Sequence, residues 1–210
     1  MKPANVKGTI DALLLCVEGK PKSFAFVSST SVLDTEHYVK LSDTILEAGG
    51  GGIPESDDLE GSATGLETGY GQSKWVGEYV VREAGCRGLD GCIIRPGYIT
   101  GDSETGVTNT DDFLMRMIKG CAQLGKMPDI YNTVNMVPVD HVARVVVACA
   151  VSPPTSPLTV AQVTSHPRLR MNEFLATLAT YGYEVDTVDY MPWRVALENY
   201  VMRESKDNAL

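Results

Sequence analysis

Tyr70-Gly71-Gln72-Ser73-Lys74-Trp75 carries more structural information than any other segment of this chain. It sets a tyrosine and a lysine four residues apart. On an α-helix such a pair shares one face at about 6 Å, so the ammonium stands beside the phenol and makes it a better proton donor. Taken alone the spacing is weak, because it arises by chance in a chain of ordinary composition. The flanks give it weight. Upstream, Phe26-Val27-Ser28-Ser29-Thr30 ends an apolar run in three hydroxyls, and downstream Cys92-Ile93-Ile94 leads into Arg95-Pro96-Gly97-Tyr98. Two strand ends around a helix with tyrosine and lysine on one face are what a carbonyl-reducing dinucleotide enzyme needs.

Working outward, Ala4 to Val17 has apolar residues at helical spacing and closes at Gly19, and Ser23 to Ser29 fits a buried strand. Leu33 to Thr68 is acidic and glycine-rich, with Gly49-Gly50-Gly51-Gly52 and Glu55-Ser56-Asp57-Asp58, and reads as a long surface excursion with one short helix at Val39 to Ala48. The pattern then predicts a helix over Tyr70 to Ala84, a buried strand over Gly91 to Arg95, and a helix over Thr110 to Leu124 capped by Asn109 or Thr110. Val137-Pro138-Val139-Asp140 leads to a helix over His141 to Val151 with Asp140 as its cap, and Ser152 to Pro157 reads as a linker. Beyond it come a strand at Leu158 to Val163, a helix from about Asn172 to Tyr181, and a last segment around Trp193 to Val201. Alternation of this kind predicts an α/β fold with a parallel sheet.

Gly85, Gly88 and Gly91 spell a literal Gly-x-x-Gly-x-x-Gly. A pyrophosphate loop must follow a strand and open a helix, whereas these glycines follow a helix and lead into a strand. They read as a helix C-cap and turn. No other segment supplies a strand, a glycine turn and a helix at the start of the chain, so the first half of a nucleotide site is expected to be missing.

The 210 residues, 43% of them apolar, suffice for a real core and contain no apolar run of membrane-spanning length. A net charge of -9 without a Lys/Arg cluster argues against nucleic acid or an anionic membrane as partner. The five cysteines form no CxxC pair and read as reduced, non-metal residues of a cytoplasmic protein. The first residues have neither signal-peptide nor transit-peptide character.

Asn5-Val6-Lys7-Gly8-Thr9, Phe26 to Thr30, Tyr70-x-x-x-Lys74, Arg95-Pro96-Gly97-Tyr98 and Val137-Pro138-Val139-Asp140 resemble, in order, the motifs of extended short-chain dehydrogenases/reductases. More closely, the long insert, Gly69 to Trp75, Thr108-Asn109-Thr110-Asp111-Asp112-Phe113 and Asn132 to Ala143 look like the terminal thioester-reductase domain of the fungal L-2-aminoadipate reductases, across almost the whole chain. That resemblance implies the second half of a Rossmann-like fold in residues 1–105, with the rest of the sheet and a small substrate-binding subdomain in 106–210. It implies an internal piece of a long lysine-biosynthesis protein, with NADPH as cofactor and a thioester on the phosphopantetheine arm of a carrier domain as substrate.

The same resemblance assigns roles. Ser29 donates a hydrogen bond to the substrate carbonyl, with Ser28 and Thr30 as neighbours that could be confused with it. Tyr70 protonates the oxygen, and Lys74 holds the ribose hydroxyls and lowers the tyrosine pKa. Asn5 helps hold a proton-relay water, and Pro96, Gly97 and Tyr98 lie against the nicotinamide end. Plainer readings stand beside these. Hydroxyls at a strand end are often turn or cap residues, and Asn5 fits equally as a helix N-cap. Arg95 reads as one half of an ion pair, Asp140 as a helix cap, and Trp193, Tyr190 and Tyr200 as core. His37, His141 and His166 share no metal-ligand spacing. Two other functions remain open: an extended short-chain reductase or epimerase acting on a free small molecule, and an inactive fragment or interaction domain.

Overall fold

A computed structural model describes residues 2–20, 22–152, 158–165 and 169–203. Most of the expected linker, from Pro153 to Pro157, and His166 lie outside the described residues. In chain order the elements are a π-helical turn Lys2–Lys7, α1 Gly8–Val17, β1 Phe24–Val27, a 3-10 turn Thr30–Leu33, α2 Glu36–Glu47, a 3-10 turn Glu60–Ser62, α3 Gly69–Cys86, β2 Gly91–Pro96, β3 Tyr98–Thr100 and α4 Phe113–Leu124. There follow β4 Lys126–Pro128, β5 Thr133–Val134, β6 Met136–Pro138, α5 Val139–Val151, β7 Leu158–Val163, β8 Leu169–Arg170, α6 Met171–Thr180, β9 Asp186–Val188 and α7 Tyr190–Arg203. Two compact units form, one from Met1–Ile99 with Val137–Thr164, the other from Thr100–Met136 with Ser165–Leu210. The division is interleaved where the sequence suggested one cut after residue 105, because β7 returns to the first unit's sheet.

In the first unit β1, β2 and β7 form a parallel sheet in that order, with Val27 opposite Ile94 and Ile94 opposite Ala161. Every residue of β2 is buried, as expected of a central strand with helices on both faces. Ile93 packs with Leu13 of α1, Phe26 and Val81 of α3; Cys92 and Ile94 pack on the other side with Val137, Val142 and Val163. Helices therefore cover both sheet faces, which is the Rossmann-like α/β arrangement of the extended short-chain fold. A Cβ on Gly91 would stand 2.2 Å from the Phe24 carbonyl oxygen, so only glycine lets β2 start beside β1. Gly85 lies in the last turn of α3 and Gly88 turns at φ +95°. The three glycines close a helix and open a strand, and they are no phosphate loop.

The acidic excursion is more structured than its composition suggests. Val32, Tyr38 and Leu59 form a small core with Leu41, Ile53 and Trp75 of α3. Thr35 caps α2 by accepting from the Tyr38 N–H at 3.4 Å, so the helix starts three residues before the expected Val39. Tyr38 donates its phenolic proton to Asp57, and burial together with that carboxylate pushes the phenol above its usual range. Further bonds run from Trp75 Nε1 to Leu59 O at 3.0 Å, from Gln72 Nε2 to Leu66 O at 2.7 Å, and from Gln162 Nε2 to Ile53 O at 2.7 Å. The bonds to Leu59 and Ile53 span 16 and 109 residues, so no local periodicity announces them.

Two caps also differ from expectation. Asp112, not Asn109 or Thr110, caps α4, its Oδ1 accepting from Leu114 N–H at 2.9 Å. Helix α5 starts at Val139 with Pro138 in the cap position, which moves Asp140 into the first turn, paired with Arg144. In the second unit Met117, Cys121, Met127, Leu175, Leu178 and Trp193 form the core, β4 pairs with β9 in parallel and β5 with β8 antiparallel. Trp193 is thus a core residue, with Tyr190 6.0 Å from it at the surface. Among the described residues no helix is long and apolar enough to cross a membrane.

Candidate active site

Helix α3 carries the site. Thr68 caps it, Oγ1 accepting from Gly71 N–H at 3.1 Å. Its buried face includes Gly71, Ser73 and Gly77, and this small-residue stripe brings it close to β1 and the turn after it. A Cβ on Gly71 would lie 3.1 Å from Ser31 O, and one on Gly77 would lie 3.0 Å from the Phe26 ring. The hydroxyl-rich end of β1 therefore meets the N-terminal half of α3.

Lys74 sits at that junction. Its Nζ donates to Val27 O at 2.9 Å and lies 5.9 Å from the Tyr70 ring centroid and 5.6 Å from that of Phe26. Burial lowers the Lys74 pKa, since a half-buried ammonium loses part of its hydration. The phenol of Tyr70 is 41% exposed and so remains open to a ligand. The expected one-face pairing of Tyr70 and Lys74 is present.

The three hydroxyls after β1 separate by environment. Ser28 is 2% exposed and donates to Glu78 Oε2 at 2.8 Å. Ser29, half-buried and extended at φ -161°, caps the following 3-10 turn, with Oγ accepting from Ser31 N–H at 3.1 Å. Accepting leaves the Ser29 proton available for donation. Thr30 is the first residue of that turn. Ser29 is therefore both a cap and a half-exposed donor.

Asn5 is not a helix N-cap, because it lies inside the π-helical turn and Lys7 precedes α1. Its Nδ2 donates to Ser73 Oγ at 2.9 Å, and Ser73 Oγ donates to Tyr70 O at 2.8 Å. It is tied to the same turn of α3 as the tyrosine. At the carboxyl end of β2, Pro96 is buried, Gly97 N–H donates to Val163 O at 2.9 Å, and Tyr98 is 39% exposed. Val27 and Ile94 are paired in parallel, so the Ser28-Ser29 and Pro96-Gly97 ends share one edge of the sheet, the edge at which open α/β sheets bind ligands.

Arg95 points inward and pairs with Glu78, both fully buried, with Nε 3.1 Å from each carboxylate oxygen. Arg82 adds a second cation at 3.1 Å from Oε1 and reaches Asp57 O at 2.9 Å. The ion pair expected for Arg95 is thus present, with Glu78, a partner the sequence does not single out. Its position, four residues after Lys74, was the available signal. His37 stacks edge-on against Tyr38, His141 is exposed on α5, and among the described residues no cluster of His, Cys, Asp or Glu could hold a metal ion. All five cysteines are free; Cys86 is exposed, while burial pushes Cys92 and Cys121 up to about 11.

Residues 1–146 match the NAD-binding family described as male sterility protein. The L-2-aminoadipate reductase large subunit of Penicillium chrysogenum is 65% identical over 201 residues, 96% of this chain and 14% of that protein. The L-2-aminoadipate reductase of Schizosaccharomyces pombe is 61% identical over 210 residues, 100% of this chain and 15% of that protein. Among solved structures, the terminal R domain from the myxalamid PKS-NRPS biosynthetic pathway is 33% identical with a TM-score of 0.82, over 98% of this chain and 49% of that one. The chain spans only 14% to 15% of the length of the two fungal relatives. Both the sheet's carboxyl edge, where Lys74 meets β1, and the match over the first two thirds of the sequence give one answer: the chain belongs to the NAD-binding male sterility protein family.

Proposed function

We propose that the protein carrying this chain is an NADPH-dependent thioester reductase. Its substrate is an L-2-aminoadipyl group on the phosphopantetheine arm of a carrier domain, and its product is the semialdehyde, a step of lysine biosynthesis. The observation that carries the reading is Lys74, whose ammonium joins the Tyr70 ring to the end of β1 two residues before Ser29. The high identity to the fungal reductases and the likeness to a terminal R domain support the substrate class. Five free cysteines fit a reducing cytoplasmic setting.

Lys74 suits a nicotinamide ribose: one of its three protons goes to Val27 O, which leaves two for vicinal hydroxyls at a half-buried position. When bound, the cofactor supplies hydride to the thioester carbon. Ser29 donates a hydrogen bond to the carbonyl oxygen and Tyr70 gives it a proton, so no free oxyanion persists. The resulting hemithioacetal loses the carrier thiol, the C–S bond breaking as the hydroxyl proton leaves and the aldehyde forms. Asn5 steadies the first turn of α3 through Ser73 while this happens.

Tyr70→Phe in the full-length protein removes the donor and keeps the ring. Reduction of the carrier thioester, followed by NADPH absorbance, should fall by about 10²-fold or more, as for a lost general acid. Wild-type turnover in that variant would overturn the assignment.

A further inference from the structure

A buried polar hub lies directly behind the hydroxyl assigned to substrate. We infer that Ser28, locked by the Glu78–Arg95 pair, is a positioning residue that aims the Ser29 hydroxyl; the inference rests on the proposed role of Ser29.

The geometry pins Ser28 twice. Its N–H donates to Ile94 O at 2.7 Å, extending the β1–β2 ladder by one residue, and its Oγ donates to Glu78 Oε2 at 2.8 Å. Glu78 comes one helical turn after Lys74, so consecutive turns of α3 grip consecutive residues of the strand end, Lys74 at the Val27 carbonyl and Glu78 at the Ser28 hydroxyl. Glu78 is itself fixed from three sides: Arg95 of β2 meets both its oxygens, Arg82 meets one, and Ser28 takes the remaining lone pair. A carboxylate so held cannot swing. Ser29 follows with no intervening residue; the Ser31 N–H holds its Oγ against the turn, and Ser28 holds the strand end that carries it. The register of the donor is thus set from Ser28.

Stability alone does not account for the hub. Glu78 and Arg95 are both fully buried, and Nη1 of Arg95 is buried without a hydrogen-bond partner among the described residues, which adds to the desolvation cost. Apolar residues of the same size would fill the space without it. What an ion pair provides that they would not is a directional acceptor for Ser28.

The test is a double-mutant cycle in the full-length protein. Ser28→Ala should lower kcat on the carrier thioester about tenfold through misplacement of Ser29, with NADPH affinity unchanged. In a Ser29→Ala background the same substitution should change the residual rate not at all, because nothing remains to be aimed. An equal loss in both backgrounds, or an unchanged kcat in the first, overturns the inference. Loss as complete as that of Ser29→Ala also overturns it, by making Ser28 the contacting hydroxyl. Should Ser28→Ala fail to fold, Ser28→Cys keeps the shape with a weaker donor, and full kcat in that variant overturns the inference. Wild-type turnover in Ser29→Ala alone would instead remove the proposed role of Ser29 and overturn with it the inference that Ser28 aims that hydroxyl.

Discussion

At Lys74 a cation is held where water is scarce, and that has a consequence for pH. Burial lowers its pKa below the ordinary 10.5, so between the lowered value and 10.5 the unfolded chain binds a proton that the native chain has released. Stability must then rise with pH across that window. Lys74→Met, close in shape and without charge, lacks the effect. Urea denaturation of both proteins at several pH values approaching 10.5 should show the wild type gaining on the variant as pH rises; a gap that stays constant or narrows would show that the native ammonium is not penalised. The pairing of Tyr70 with Lys74 was legible because helical spacing is local. Glu78 was not, since its partners Ser28 and Arg95 lie 50 and 17 residues away.

The secondary structure follows the same division between local and distant causes. Strand β7 matches its expected Leu158 to Val163 bounds, and α3 needed only a residue or two at each end, because apolar runs and helical spacing are written in neighbouring residues. The excursion before α3 hides its order, because Tyr38, Leu59 and Trp75 make a core only when brought together. Close approach is equally silent in the sequence. Gly91 looks like any turn glycine, yet Gly91→Ala would set a methyl 2.2 Å from Phe24 O, a backbone atom unable to step aside. The β1–β2 pairing would have to open at its start. A cost of about 1–3 kcal/mol is expected from such overpacking, read as a lower denaturation midpoint. An unchanged midpoint would mean that the two strands can separate freely there.

Over the whole chain, the binding residues proposed here serve the nicotinamide end of a dinucleotide. Among the described residues no strand runs through a glycine turn straight into a helix, the unit that would seat a pyrophosphate. Helix α1 also shows Leu14, Leu15 and Val17 to solvent, each more than half exposed. These 210 residues expressed alone should therefore bind NADPH more weakly than micromolar and tend to self-associate, as calorimetry and light scattering would show; tight binding by a monodisperse sample would contradict this. Fold class and a continuation of the sheet past residue 105 were visible in the sequence, but the pairing of β7 with β2 that interleaves the two units was not, because nothing local says which strand a returning chain will join. Helix α3 finally offers a molecular ruler. Tyr70 lies in its first turn and Cys86 is its last residue, about 24 Å along the axis at 1.5 Å per residue. Cys86 is exposed, whereas burial raises the Cys92 and Cys121 thiols to about 11 and so keeps both protonated at neutral pH. A maleimide dye that reacts first at Cys86 would sit within energy-transfer range of a fluorescent nicotinamide, so that occupancy of the site could be followed by light emitted from the far end of the helix that holds it.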